Sequence, residues 1–137
     1  MSPTQCSSVG KMDPVILITC IALTVYDGDT VRCDGQLLRP MGDGAPYVSG
    51  FDAPEIGWRA KCENEHELGM RATRRMEALI KTPGLTIEDS GEVDRFDRPL
   101  VVLRLPDGRT TGQILIDDGY ARIWLPNRRR HDWCLGQ

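Results

Sequence analysis

The chain has 137 residues, of which 40% are hydrophobic and 27% are charged, and its formal net charge is −3. This composition predicts one globular domain that is long enough to bury a core without metal or disulfide crosslinks, and it excludes a low-complexity chain. The net charge also lacks the basic excess that most nucleic-acid-binding domains carry.

The N-terminal part begins with residues 1–12, whose mixture of Ser, Pro, Gln and Gly predicts a flexible tail, so residues 13–137 form the predicted domain. The apolar run Val15–Val25 has about half the length of a bilayer crossing, and we expect no membrane partner. Because Asp13 and Pro14 interrupt the approach and no small-x-small cleavage site follows, the run predicts a strand rather than a signal peptide, which slightly favours the cytoplasm over export.

Further strands and two helices are predicted along the rest of the chain. Asp34-Gly35 is a hairpin signal between two strands, and Pro83-Gly84 ends the longer helix. The predicted strands are Thr30–Cys33, Gln36–Arg39, Leu85–Glu88 and Leu100–Leu105, with extended chain at Val48–Phe51. The predicted helices are Glu63–Ile80, with a buried stripe of Leu68, Ala72, Met76 and Leu79, and a short one from Thr110 or Thr111 to Asp118.

The five cysteines include no C-x-x-C pair, so they indicate neither a disulfide framework nor a zinc ribbon. Cys20 and Cys33 are expected to be small core or strand residues. Cys62 and Cys134 can meet if the C-terminal tail folds back over the start of the long helix. With the two histidines of the chain they also offer a zinc-ligand set, which nothing in the spacing demands.

The charges are unevenly distributed along the chain. Residues 27–55 hold six acidic residues against two arginines, whereas residues 95–130 hold eight arginines against four acidic residues. One half can therefore hold a cation while the other contacts phosphates, which the net charge alone conceals.

Three short acidic stretches carry the candidate chemistry. In Val25-Tyr26-Asp27-Gly28-Asp29-Thr30, a positive φ at the glycine would fold the chain back and turn both carboxylates toward one point, as hard cations prefer. In Asp52-Ala53-Pro54-Glu55, the proline stiffens the turn that presents two carboxylates. The third stretch, Asp94-Arg95-Phe96-Asp97-Arg98, precedes a predicted strand.

In this order and spacing the three stretches resemble the staphylococcal nuclease (thermonuclease) family, whose pattern is D-G-D-T, then R-L-x-G-I-D-[AT]-P-E, then D-x-Y-G-R. The resemblance covers about residues 21–124 and includes Cys62-x-x-Glu65-x-x-x-Gly69-x-x-Ala72 and the segment Ile114–Ala121. It implies an α+β fold, a five-stranded OB-fold β-barrel with one long helix after the third strand and a short helix near the C-terminus.

The resemblance also implies a calcium site. Asp29, Asp52 and the backbone carbonyl of Ala53 would be the ligands, and Asp27 would orient Asp29 from beside it. Glu55 matches the general base of the family.

The third stretch matches the part of the family pattern that contacts the substrate. Arg98 matches the arginine that clamps the phosphate in the transition state, since a planar guanidinium can contact two phosphoryl oxygens. Asp94 would tie down the loop, and Phe96, where the family often has tyrosine, would stack on a base. Asp97 stands where the family often has glycine.

The family's second arginine lies five residues before the aspartate of D-A-P-E, a position that Tyr47 occupies here. Counting forward from Gly35 reaches Arg39 instead, provided that Pro40–Tyr47 is an eight-residue insertion. Either the insertion loops out and returns Arg39 to the site, or Tyr47 takes that place. Loops whose ends stay close add little entropy cost, which favours Arg39.

Two functions follow from these motifs. One is calcium-dependent hydrolysis of phosphodiester bonds in single-stranded DNA or RNA by a monomer, which the retention of the acidic set with Glu55 and Arg98 favours. The alternative is a catalytically weak or inactive OB-fold module that binds nucleic acid or a protein, which an absent second arginine would favour. The choice between DNA and RNA stays open.

Overall fold

The computed structural model describes residues 15–42, 50–124 and 131–135, and these ranges contain eight strands and two α-helices. The predicted flexible tail, residues 1–12, lies outside them. The strands are β1 (Ile16–Ile18), β2 (Leu23–Asp27), β3 (Thr30–Cys33), β4 (Gln36–Pro40), β5 (Gly50–Asp52), β6 (Thr86–Val93), β7 (Pro99–Arg104) and β8 (Arg122–Trp124). The helices are α1 (Glu63–Ile80) and α2 (Thr111–Asp117), and a 3-10 turn at Gly57–Arg59 lies between β5 and α1.

Six strands form one sheet in the order β1-β6-β7-β4-β3-β2, and β5 and β8 form a separate pair. The pairs are antiparallel except for the parallel pair β4 and β7. The predicted α+β class is confirmed, but the sheet is not closed into the predicted five-stranded barrel. β6 continues past its predicted end at Glu88, because a register shift after Asp89 lets Val93 pair with Pro99.

The predicted single strand Val15–Val25 is in fact two strands, β1 and β2, separated by residues 19–22. The Asp34 carboxylate accepts the backbone N–H groups of Ile21 and Ala22 at 3.1 and 2.7 Å. A side chain thus takes donors that a continuous ladder would have used, and the strand breaks there. The two edge strands of the sheet are therefore consecutive in the chain.

Two disulfides crosslink the described residues, which the sequence analysis did not predict. Cys20, in the break between β1 and β2, pairs with Cys33, which is a buried strand residue as expected, although the cysteine spacing indicated no disulfide. Cys62 pairs with Cys134, with Cα atoms 6.1 Å apart, so the C-terminal segment does fold back over the start of α1. This pairing removes both sulfurs from the zinc-ligand set. Because disulfides persist mainly in oxidising compartments, it also weighs against the predicted preference for the cytoplasm.

The β3–β4 hairpin forms as predicted, because Asp34 and Gly35 both adopt positive φ, 50° and 91°, as a two-residue type I′ turn requires. β4 then includes Pro40, so the predicted insertion does not begin there. The strand tolerates this proline because the next residue, Met41, donates its N–H to Val101 O at 2.7 Å. Residues 43–49, which include Tyr47, lie outside the described residues.

Helix α1 has the predicted bounds, and Ala72, Met76 and Leu79 are buried as expected, whereas Leu68 is only half-buried. Gly69 is buried in its place. A Cβ at Gly69 would lie 2.6 Å from the carbonyl oxygen of Glu55, so the glycine lets the helix backbone pack directly against the second acidic stretch.

Gly28 has the same function at the first acidic stretch. A Cβ there would lie 2.7 Å from the Cβ of Ala72 and 2.8 Å from that of Ala53. Its φ is not positive, so the predicted reason for this glycine was wrong. The close approach, and not the turn conformation, requires it.

The main core lies between the six-stranded sheet and the two helices. Val31, Leu38, Met76, Leu103 and Leu115 are among its fully buried side chains. Neither described helix combines the length and apolar composition that a membrane crossing requires.

Candidate active site

An open cleft of about 630 Å³ lies where β2, β4, β5 and the β6–β7 loop meet. It brings together most of the predicted site residues, although they come from three distant stretches. Those that line it are Asp27, Asp29, Arg39, Asp52, Glu55, Asp94, Phe96 and Arg98. Ala53 is buried beside the cleft, and Tyr47 lies outside the described residues.

The β2–β3 turn presents Asp27 and Asp29 to the cleft. The backbone N–H of Asp29 donates to Oδ1 of Asp27 at 3.1 Å, which holds the Asp27 side chain against the turn. Burial, and then the charge of Asp29, raise the pKa of Asp27 to about 8. Burial also acts on Asp29, but the Arg39 charge and several hydrogen bonds outweigh it and hold the pKa of Asp29 below its usual value.

Arg39 lines the cleft, as the count forward from Gly35 predicts. Its Nη1 donates to the carbonyl oxygen of Asp29 at 2.7 Å and lies 3.2 Å from Oδ1 of that side chain. Its Nη2 donates to the carbonyl oxygen of Phe51. β4 thus carries Arg39 to β5 across the gap in sequence between them.

The third stretch forms a tight loop around the Asp94 carboxylate. This carboxylate accepts the N–H groups of Phe96 and Arg98 at 2.8 and 2.9 Å and the Nε of Arg98 at 2.7 Å. Burial opposes ionisation, but these donors hold the pKa of Asp94 below its usual value. Asp97 has a φ of 61°, which explains why a glycine would suit this position.

The same loop aims two side chains into the cleft. Nη1 of Arg98 donates to the hydroxyl of Thr30 at 3.2 Å, so Arg98 is held between Asp94 and the β2–β3 turn. The ring of Phe96 is 63% exposed and lies against the guanidinium groups of Arg95 and Arg98. Phe96 is therefore an accessible ring at the edge of the cleft, as stacking on a base requires.

Arg59, which no sequence motif indicated, lines the cleft together with Arg39, Arg95 and Arg98. It lies on the 3-10 turn, 3.4 Å from Asp27 and 3.6 Å from Glu55. Despite this positively charged neighbour, burial and the charge of Asp29 raise the pKa of Asp27. The spacing of four residues from Glu55 was the available signal, but without a predicted helix there it indicated nothing.

Glu65 was noted only as part of the family pattern, and the structure gives it a clear task. It is 2% exposed, in the first turn of α1, and its two oxygens accept the N–H groups of Glu55 and Lys61 at 3.0 and 2.9 Å. One buried carboxylate thus fixes both ends of the segment that carries Glu55 and Arg59. Helix α1 begins beside it, where Sγ of Cys62 accepts the N–H of Glu65.

Glu65→Ala is expected to lower the free energy of unfolding by about 2–4 kcal/mol, because it leaves two backbone N–H groups without their acceptor. Glu65→Gln should lose less, since its amide oxygen can still accept one of them. Urea unfolding measures the effect, and Glu67→Ala on the exposed side of α1 is the matched control. Equal stability of Glu65→Ala and Glu67→Ala would contradict the assignment.

The donor set of the cleft suits a hard cation in type, because Asp29 and Asp52 both contribute carboxylate oxygens. Within the described residues, however, no three His, Cys, Asp or Glu side chains converge closely enough to enclose a metal ion.

Both oxygens of the Asp29 side chain already have partners. Its Oδ2 accepts the N–H of Ala53 at 3.0 Å, while its Oδ1 faces Arg39. A cation that takes Asp29 as a ligand therefore competes with Arg39 for the same carboxylate. The chemistry of the donors fits calcium, and Arg39 already contacts one of the two Asp29 oxygens.

A scan against protein-family models and a search of curated protein sequences give no match to this chain. The resemblance to the staphylococcal nuclease family therefore stays a prediction that rests on the motifs.

Proposed function

We propose that this chain is a calcium-dependent nuclease that hydrolyses phosphodiester bonds in single-stranded DNA or RNA. One observation carries the proposal: the three acidic stretches and strand β4 bring Arg39, Arg98 and a set of carboxylates that includes Glu55 to a single open cleft. Phosphodiester hydrolysis needs these groups together, because a water must lose a proton while negative charge on the phosphoryl oxygens is neutralised.

In this proposal Arg98 and Arg39 bind the phosphoryl group. Arg98 is oriented by Asp94 and Thr30, and the planar guanidinium presents paired donors to the oxygens of the phosphate. Arg39 lies between Asp29 and the carbonyl oxygen of Phe51, so it reaches the phosphate by exchanging part of these contacts for the substrate.

Glu55 accepts the proton of the attacking water. Its carboxylate lines the cleft, and its backbone is fixed by the buried Glu65. Arg59 forms an ion pair with Glu55 at 3.6 Å, which helps to hold the carboxylate in the cleft.

Asp29, Asp52 and the carbonyl of Ala53 would hold the calcium ion, and Asp27 would support Asp29 from the buried side. When bound, calcium supplies positive charge to the phosphoryl oxygens and fixes the position of the phosphate.

The strand order supports an OB-like topology for the fold. If β1 and β2 are counted as two halves of one interrupted first strand, then β3, β4, β6 and β7 are the second to fifth strands of the sheet. The sheet order is then first-fourth-fifth-third-second-first, and α1 lies between the third and fourth strands in the chain. In that reading the break at residues 19–22 replaces the continuous first strand of a closed barrel.

One observation favours the alternative, a binding module with weak or no catalysis. Arg39 is already paired with Asp29. If this pair does not open, Asp29 is unavailable to the metal and Arg39 is unavailable to the phosphate. Such a protein would still bind single strands in the cleft through Arg98 and Phe96.

The wild-type protein is expected to cleave denatured DNA faster than duplex DNA in the presence of calcium, because the cleft recognises phosphate and leaves bases accessible to Phe96. Gel analysis of single-stranded DNA, duplex DNA and single-stranded RNA measures the order of rates. Binding without any cleavage would favour the alternative, and faster cleavage of the duplex would contradict the proposed substrate.

A further inference from the structure

Two arginines flank the ring of Tyr26 on the outer face of the β2–β3 hairpin. Cζ of Arg59 lies 4.8 Å and Cζ of Arg32 lies 5.5 Å from the centre of the ring. We call these three residues the Tyr26 strip. Arg59 lines the cleft, whereas Tyr26 and Arg32 do not, so the strip begins in the cleft and continues onto the outer surface.

Local structure explains why these side chains face outward. The register of β2 against β3 shifts between Val25 and Asp27, so Tyr26 is an extra residue in a β-bulge. Asp27 turns inward and is 3% exposed, while Tyr26 is 39% exposed. Arg32 is exposed because its neighbours Val31 and Cys33 are buried on the opposite face.

This combination suits a single nucleic-acid strand. Both guanidinium groups lie over the ring, so a base of any sequence stacks on Tyr26 when Arg32 turns from the ring to a neighbouring phosphate. Trp58, next to Arg59 in the chain, is 92% exposed and is a second accessible ring in this segment.

We propose that the Tyr26 strip binds the part of a single-stranded nucleic acid that extends beyond the bond in the cleft. The proposal rests on the proposed function, because it takes the cleft as the place of the scissile phosphate. The nucleic-acid strand leaves the cleft past Arg59, stacks a base on Tyr26 and places a later phosphate on Arg32.

The test compares a long and a short ligand by fluorescence anisotropy in chelator, where no cleavage interferes. The probes are a labelled oligothymidylate of about 20 nucleotides, longer than the site of one OB-fold, and a labelled thymidine dinucleotide with a 5′-phosphate. Tyr26→Leu is expected to weaken binding of the long probe about tenfold or more. Arg32→Gln should reduce the slope of log affinity against log salt by about 0.7, the value for one phosphate contact on a single strand.

Affinity for the dinucleotide should not change in either variant, and the matched control Arg74→Gln, on the exposed side of α1, should bind both probes as the wild type does. Arg32→Gln alters only an exposed side chain and gives a readout even if Tyr26→Leu folds poorly. Unchanged binding of the long probe, or equal losses for both probes, would overturn the proposal. Competition by polyglutamate as effective as that by the long probe would also overturn it, since the surface would then bind anionic protein.

A wild-type protein that cleaves nothing would refute the proposed function, while the length dependence of binding would still be measured. The two failures are therefore distinguishable.

Discussion

Glu55→Gln is expected to lower turnover on single-stranded DNA by about two orders of magnitude or more, while the affinities for calcium and for nucleotide stay nearly unchanged. The substitution removes the proton acceptor and keeps the size of the side chain. The backbone N–H of residue 55 still donates to Glu65, so the segment keeps its position. Single-turnover cleavage and calorimetric titration measure the two effects separately.

Glu67→Gln is the matched control for this experiment, because it makes the same chemical change at an exposed position on α1. Its turnover should equal that of the wild type. If Glu55→Gln instead abolishes binding of calcium or nucleotide, Glu55 is a ligand or a structural residue and not the general base.

Arg98→Lys is expected to lower turnover about as strongly as Arg98→Ala, by about 100-fold or more. The guanidinium contacts Asp94 through Nε and Thr30 through Nη1, and these contacts orient it toward the cleft. An ammonium group has one charged centre, so it cannot keep these contacts and also present paired donors to a phosphoryl group. Steady-state rates of the three proteins on one substrate measure the effect.

Arg104→Lys is the corresponding control outside the cleft, since Arg104 is paired with Glu88 at 2.8 Å across β6 and β7. That variant should retain the wild-type rate. A near-normal rate for Arg98→Lys would show that only the charge at this position matters and that paired contact does not.

Local signals predicted the regular elements well. The bounds of α1 and the β3–β4 hairpin follow from helical periodicity and from the Asp34-Gly35 pair, and both are properties of short segments. The same Asp34 also breaks the first predicted strand, through contacts with Ile21 and Ala22. That second role depends on residues more than ten positions away, which no local pattern reveals.

The candidate site likewise contains residues that short motifs indicated and residues that only the folded chain brings into place. The three acidic stretches indicated most residues that line the cleft, because each is a short motif with its own chemistry. Arg59 and Glu65 gained their positions only through folding, when the 3-10 turn and the first turn of α1 came together around Glu55. The predicted reason for Gly28, a positive φ, was wrong, because the close approach of Ala72 that requires a glycine there is a tertiary contact.

The position of Arg39 could not be decided from the sequence, because two alignments were possible. In the structure Arg39 reaches Asp29 and Phe51 O from the end of β4. The continuation of that strand through Pro40 also changes where a loop can be inserted, because Met41 bonds to β7. That Arg39 contributes to turnover stays a prediction.

The central claim is that the carboxylates and arginines of this cleft hydrolyse phosphodiester bonds with calcium. The most direct measurement is cleavage of a labelled single-stranded oligonucleotide by the wild-type protein in calcium, then after addition of a chelator, and again after calcium is restored. Cleavage should occur in calcium, stop in chelator and return with calcium, because Asp29 and Asp52 are proposed to hold the ion. Undiminished cleavage in chelator, or no cleavage in calcium, would contradict the account.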